Sequence, residues 1–136
     1  MDMRRMAVAV VVGLAVILLA GAVALAAARG ATTPGRQTVR APIDAVDVVI
    51  RESAPPQVSL RIKAGLPSGC AQRDSHSVTR TGDTFTVTVL NSMPTGDPIC
   101  TMIYGTYELT VELGSDFRLG GTYTVQVNDR TTTFKT

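Results

Sequence analysis

The sequence predicts an all-β fold, an antiparallel sandwich of about seven strands, preceded by one N-terminal hydrophobic helix. Three observations carry this reading. Between Val46 and Phe134, apolar and polar residues alternate with a period of two, the signature of strands with one buried and one wet face. Gly, Pro, Asn and Asp gather between those runs, where turns need them. The one long stretch with neither charge nor alternation, Ala7–Ala28, is confined to the N-terminus.

That stretch comes first. Met1–Met6 carries Arg4 and Arg5, and the apolar run ends at Arg29. As a helix, residues 7–28 extend about 33 Å, enough to cross a hydrocarbon core. This length favours an uncleaved anchor over a signal-peptide core. The small residues Ala24-Leu25-Ala26 and Ala26-Ala27-Ala28 fit a signal peptidase and favour cleavage near 26–28. In both readings Arg4 and Arg5 stay cytoplasmic and the rest is exported. The membrane partner is therefore residues 7–28, and the expected location is single-pass in the cell membrane with the C-terminal domain outside, or secreted after cleavage. Segment 29–42 reads as a linker, because Gly30, Pro34 and Gly35 break regular structure and no apolar period follows. The division is thus 1–28 anchor or signal, 29–42 linker and 43–136 β-domain.

Within that domain, Val46, Val48 and Ile50 form the first apolar face, then Val58, Leu60 and Ile62. Phe85, Val87 and Val89 form the next. Tyr107, Leu109, Val111 and Leu113 follow, with Glu108 and Glu112 on the wet face. Tyr123, Val125 and Val127 make the last run before Asn128-Asp129, a pair suited to a tight hairpin turn. That turn sets Val127 opposite Arg130, Val125 opposite Thr132 and Tyr123 opposite Phe134. Continuous apolar runs, as in parallel sheets buried on both faces, are missing, so the sheets are expected to be antiparallel. Strand number and domain length match an immunoglobulin-like sandwich, with a small Greek-key barrel as the runner-up.

Composition excludes several functions. Residues 37–136 carry nine Lys and Arg against ten Asp and Glu, leaving the domain near −1. The charges are scattered, so no nucleic-acid partner is expected. There are only two Cys and one His, too few for a zinc ribbon, and no cofactor or metal ligand set is expected. There is no G-x-S-x-G elbow and no phosphate-binding Gly loop before a helix. His76, in Ser75-His76-Ser77, reads as a solvated loop histidine. No catalytic residue is assigned, and the domain is expected not to be an enzyme.

In an exported domain, Cys70 and Cys100 are expected to form a disulfide, with two buried free thiols as the alternative. Its loop of about 30 residues stabilises the fold by about 3–4 kcal/mol on the loop-entropy account. The segment Asn91–Cys100 is the longest loop in this reading, stiffened by Pro94 and Pro98 and anchored by Cys100. Met93, Pro94, Thr95, Gly96, Asp97 and Pro98 are the candidate partner-binding residues, since a stiff loop loses little entropy on binding.

The strings LPSGC (66–70), TFTVTV (84–89), ICT (99–101), GTYTVQVND (121–129) and TTTF (131–134) resemble the small Ig-like domains of exported and surface-attached bacterial proteins. The resemblance covers roughly residues 43–136 and implies a β-sandwich outside the membrane. It supplies no catalytic or binding residue. Antibody-type domains carry a Trp between their two Cys; this chain has none. Asn91–Gly96 also resembles the Asn-Pro-Thr-Thr-Gly loop of chagasin-like cysteine-protease inhibitors, with the order changed and their aromatic contact residues missing. Two functions follow as expectations. The first is a non-enzymatic extracytoplasmic interaction or structural domain with an unidentified extracytoplasmic protein partner. The alternative is a small secreted protease inhibitor acting through Asn91–Cys100.

Overall fold

The computed structural model describes residues 35–96 and 98–136. The expected helix and the anchor or signal segment 1–28 lie outside these residues, as does Asp97 of the candidate loop. Among the described residues every regular element is a strand, and no helix is long and apolar enough to cross a membrane. The strands are β1 (Arg36–Arg40), β2 (Ile43–Arg51), β3 (Gln57–Leu66), β4 (Gln72–Thr81), β5 (Thr84–Pro94), β6 (Gly105–Gly114), β7 (Thr122–Val127) and β8 (Arg130–Lys135). They form a β-sandwich: β1, β4, β5, β7 and β8 make one sheet, and β2, β3 and β6 the other.

β5 organises the larger sheet. β4 pairs along one of its edges over Thr84–Ser92. Its other edge is shared, with β7 beside Thr84–Val87 and β1 beside Leu90–Pro94. The β5–β7 pairing is parallel, which corrects the expectation of a purely antiparallel sandwich; every other pairing is antiparallel. The hairpin register is as expected, with Val127 opposite Arg130, Val125 opposite Thr132 and Tyr123 opposite Phe134. Asn128 takes the positive φ of 51° that this two-residue turn requires.

The core follows the alternation. Phe85, Val87 and Val89 of β5 and Tyr123, Val125 and Val127 of β7 meet Val58, Leu60, Ile62 and Ala64 of β3 and Leu109 and Val111 of β6, all buried. β2 is buried at Ile43, while Val46 and Val48 only lean on the core and Ile50 is exposed. At one end Phe85, Phe117, Tyr123 and Phe134 pack together, with Tyr123 and Phe134 stacked at 5.4 Å and Phe117 edge-on to both.

Two strands differ from expectation. β1 lies inside the segment read as the linker 29–42, and the compact unit begins at Gly35. β1 is exposed except for half-buried Val39, so it is held by its ladder to β5 and not by an apolar face. β4 lies outside the apolar runs read from the sequence and makes His76 a strand residue, not a loop residue. His76, Val78 and Arg80 oppose the buried Val89, Val87 and Phe85, and so share their face of the sheet. All of β4 is nevertheless exposed, because the smaller sheet has only three strands to cover five. The Arg80 guanidinium lies 4.9 Å from the Phe85 ring and covers the open flank of the aromatic cluster.

Candidate functional site

The end of the sandwich where β1 and β4 begin and β3 and β5 finish gathers the expected site residues. The Sγ atoms of Cys70 and Cys100 lie at disulfide distance, with 5.5 Å between Cα atoms. Cys70 follows Leu66-Pro67-Ser68-Gly69, where the Ser68 carbonyl accepts a hydrogen bond from the Ala71 N–H at 3.1 Å. Cys100 sits in the irregular stretch between β5 and β6.

The expected binding loop is only partly a loop. Met93 and Pro94 are half-buried strand residues that oppose Gln37 and Arg36, because β1 extends the ladder past the point sequence alternation could mark. Thr95 donates its N–H to the Gly35 carbonyl at 2.8 Å, and Gly96 turns the chain at φ 86°. Pro98 is exposed. Asn91, at the head of the expected loop, is fully buried. Its Nδ2 donates to the Gly65 carbonyl at 2.8 Å and its Oδ1 accepts from the Tyr107 hydroxyl at 2.7 Å. Asn91 thus ties the two sheets together through a satisfied polar bridge. Burial raises the Tyr107 pKa, with the nearby Arg73 opposing the effect.

The structure adds a feature beyond the expected residues. Ile99, Met102, Ile103 and Tyr104 project from this end as large exposed apolar side chains, with Met102 87% and Ile103 71% exposed. The segment carrying them is fastened at three points. Cys100 faces Cys70. The Thr101 carbonyl accepts from the Gly69 N–H at 2.9 Å, and a Cβ at Gly69 would overlap the Thr101 side chain. Tyr104 lies across Gly65 so closely that any Cβ there would strike its ring, and its hydroxyl donates to Asp44 Oδ1 at 2.8 Å. The hydrogen bond to Asp44 raises the Tyr104 pKa. The only trace of this tip in the sequence is the apolar content of Ile99–Tyr104 between Pro98 and Gly105. Local pattern cannot say whether such residues are buried, because that depends on how the β5–β6 connection is seated on the sandwich.

The same end receives the chain from its N-terminal side. Arg36 donates from Nη2 to the Cys70 carbonyl at 3.0 Å and to the Ser92 carbonyl at 2.9 Å, and from Nε to Ser92 Oγ at 2.6 Å. At the opposite end lies a cleft lined by Ile50, Glu52, Ser53, Pro56, Lys135 and Thr136. Among the described residues no group of His, Cys, Asp and Glu could hold a metal ion.

Residues 60–136 match the family model described as the ORF11 beta-sandwich domain, a span from within β3 through β8 that includes both cysteines and the apolar tip. The chain is also similar to a protein of Herpetosiphon aurantiacus named "Uncharacterized 10.2 kDa protein in HgiCIIM 5'region", at 29% identity over 87 residues, covering 64% of this chain and 90% of that protein. No solved structure matches. The chain belongs to the ORF11 beta-sandwich domain family.

Proposed function

We propose that this is an extracytoplasmic, non-enzymatic interaction domain of immunoglobulin-like plan, held at the membrane through residues 7–28 or released by cleavage near 26–28, and that it binds with the Cys70–Cys100 end. The observation that carries the reading is the fastened apolar tip. Ile99, Met102 and Ile103 stand in water although three attachments hold their backbone. An apolar surface of this kind marks an interaction site, and a segment already ordered gives up little entropy on binding.

Protease inhibition through Asn91–Cys100 draws less support from the geometry. Asn91 is committed to the core, and Met93 and Pro94 are committed to the β1–β5 ladder. This leaves Thr95, Gly96, Pro98 and Ile99 as the exposed described residues of that segment that could enter an enzyme cleft.

Protease added to intact cells tests location, and fractionation tests attachment. The domain is expected to be digested from outside and the full chain to sediment with membranes. Full-length protein protected in the cytosolic fraction would overturn the export half of the proposal.

A further inference from the structure

We infer that the Ile99–Tyr104 tip docks on the lipid surface itself, seating the domain tip-down on the bilayer. This rests on the membrane-anchored reading of residues 7–28 and adds an orientation and a ligand class to it. The first support is where the chain enters the domain. Gly35 is bonded to Thr95, and Arg36 is bonded to the carbonyl of Cys70, whose side chain faces Cys100. The domain's first described residues therefore lie at the apolar tip and not at the far end, where Gly120 donates to the Thr136 carbonyl at 2.7 Å.

The second support is reach. Residues 29–34 separate the apolar run from Gly35, and fully extended they bridge about 25 Å at most. A domain tethered that closely presents its tip to the bilayer at high effective concentration, so even weak insertion is sufficient to hold it.

The third support is chemistry. Ile99, Met102 and Ile103 offer aliphatic surface to the acyl boundary. Tyr104 sits beside them with its hydroxyl already bonded to Asp44, the arrangement of an apolar ring with a polar end that suits the headgroup level. Charges near this end are mixed, Arg36 and Arg73 against Asp44 and Asp74. Attraction is therefore apolar, and docking should not require anionic lipid.

The chain contains no Trp, so a single introduced indole reports on its own position. Ile103→Trp is placed in the full chain and reconstituted into phosphatidylcholine vesicles, with and without lipids brominated on the acyl chain. Leu119→Trp, an exposed site away from the tip, serves as the reference. The expected result for Ile103→Trp is a blue-shifted emission that is lost with brominated lipid. The emission of Leu119→Trp should be neither shifted nor quenched. Because Trp favours interfaces by itself, Met102→Asp is added to Ile103→Trp and should restore the emission. Retained quenching in that double variant would assign the insertion to the introduced indole and overturn the inference. A blue shift without quenching would mean that a second copy covers the tip, and would also overturn it. Flotation separates the two layers. If the chain floats with the vesicles while the indole at position 103 is unquenched, the anchor stands and the docking falls. If the chain does not float, the anchored reading falls and the docking with it.

Discussion

The side chain of Asn128 is bonded to both backbone groups of Val89, accepting from its N–H at 3.0 Å through Oδ1 and donating to its carbonyl at 2.9 Å through Nδ2. Val89 lies where the edge of β5 passes from β7, which pairs as far as Val87, to β1, whose last residue Arg40 lies opposite Leu90. The turn residue fills the gap between those two neighbours and reaches the Ala41 carbonyl at 2.8 Å as well. One asparagine therefore shapes the β7–β8 hairpin and closes the seam between β1 and β7.

Asn128→Ala removes those bonds and forces a Cβ residue without local side-chain bonding into positive φ. The expected loss is about 2–4 kcal/mol. Asn128→Gly removes the bonds but accepts the backbone angle, and should lose less. Urea unfolding of both variants checks the order; equal stability to the parent in Asn128→Ala would remove this role.

Tyr107→Phe leaves the buried Asn91 Oδ1 without its donor, at an expected cost of about 1–3 kcal/mol. Chemical denaturation reads the loss. The double change Tyr107→Phe with Asn91→Leu should not recover it, since the buried Gly65 carbonyl then loses the Asn91 Nδ2 donor.

Replacing Cys70 and Cys100 together by Ala should cost about 2–4 kcal/mol. The strands should persist, and amide hydrogen exchange should rise first at residues 67–71 and 98–104. Intact mass of the natively produced protein under alkylating conditions should show no alkylated thiol; two alkylated thiols would mean the bond does not form.

Tyr104 offers a pH readout. Its hydrogen bond to Asp44 raises the folded-state pKa, so the phenol proton is held more tightly when the tip is in place. The stabilisation from this contact is complete below the ordinary tyrosine value of about 10 and is lost as pH rises through the higher folded value. Ultraviolet titration should show Tyr104 ionising above its ordinary value in the parent and moving down in Asp44→Asn. An unchanged midpoint would contradict the contact.

Much of the sandwich is legible in the sequence because burial selects side chains. β3, β5, β6 and β7 alternate since one face of each meets the opposite sheet, and Asn128-Asp129 places β8 by fixing the last hairpin in register. β1 and β4 escape such a reading because they are held by backbone pairing to β5, which leaves no apolar period in RQTVR or QRDSHSVTRT. The parallel β5–β7 contact also leaves no local signal, since it joins Thr84–Val87 to Thr124–Val127 across an intervening strand. At the candidate site, the cysteine pair is readable from the even cysteine count together with the expectation of export. The expected loop ends at Cys100 beside the tip, but its first residues serve the core and the ladder. Exposure of Ile99, Met102 and Ile103 is a tertiary property, and their composition resembles that of a buried segment.

The most direct measurement is site-specific photo-crosslinking of the full chain in intact cells, with the reactive side chain at position 103 or, as reference, at position 119. If the Cys70–Cys100 end is where the domain binds, position 103 should yield a lipid or protein adduct that position 119 does not, and Cys70→Ala with Cys100→Ala should diminish it. Labelling at 103 no greater than at 119 would contradict the account.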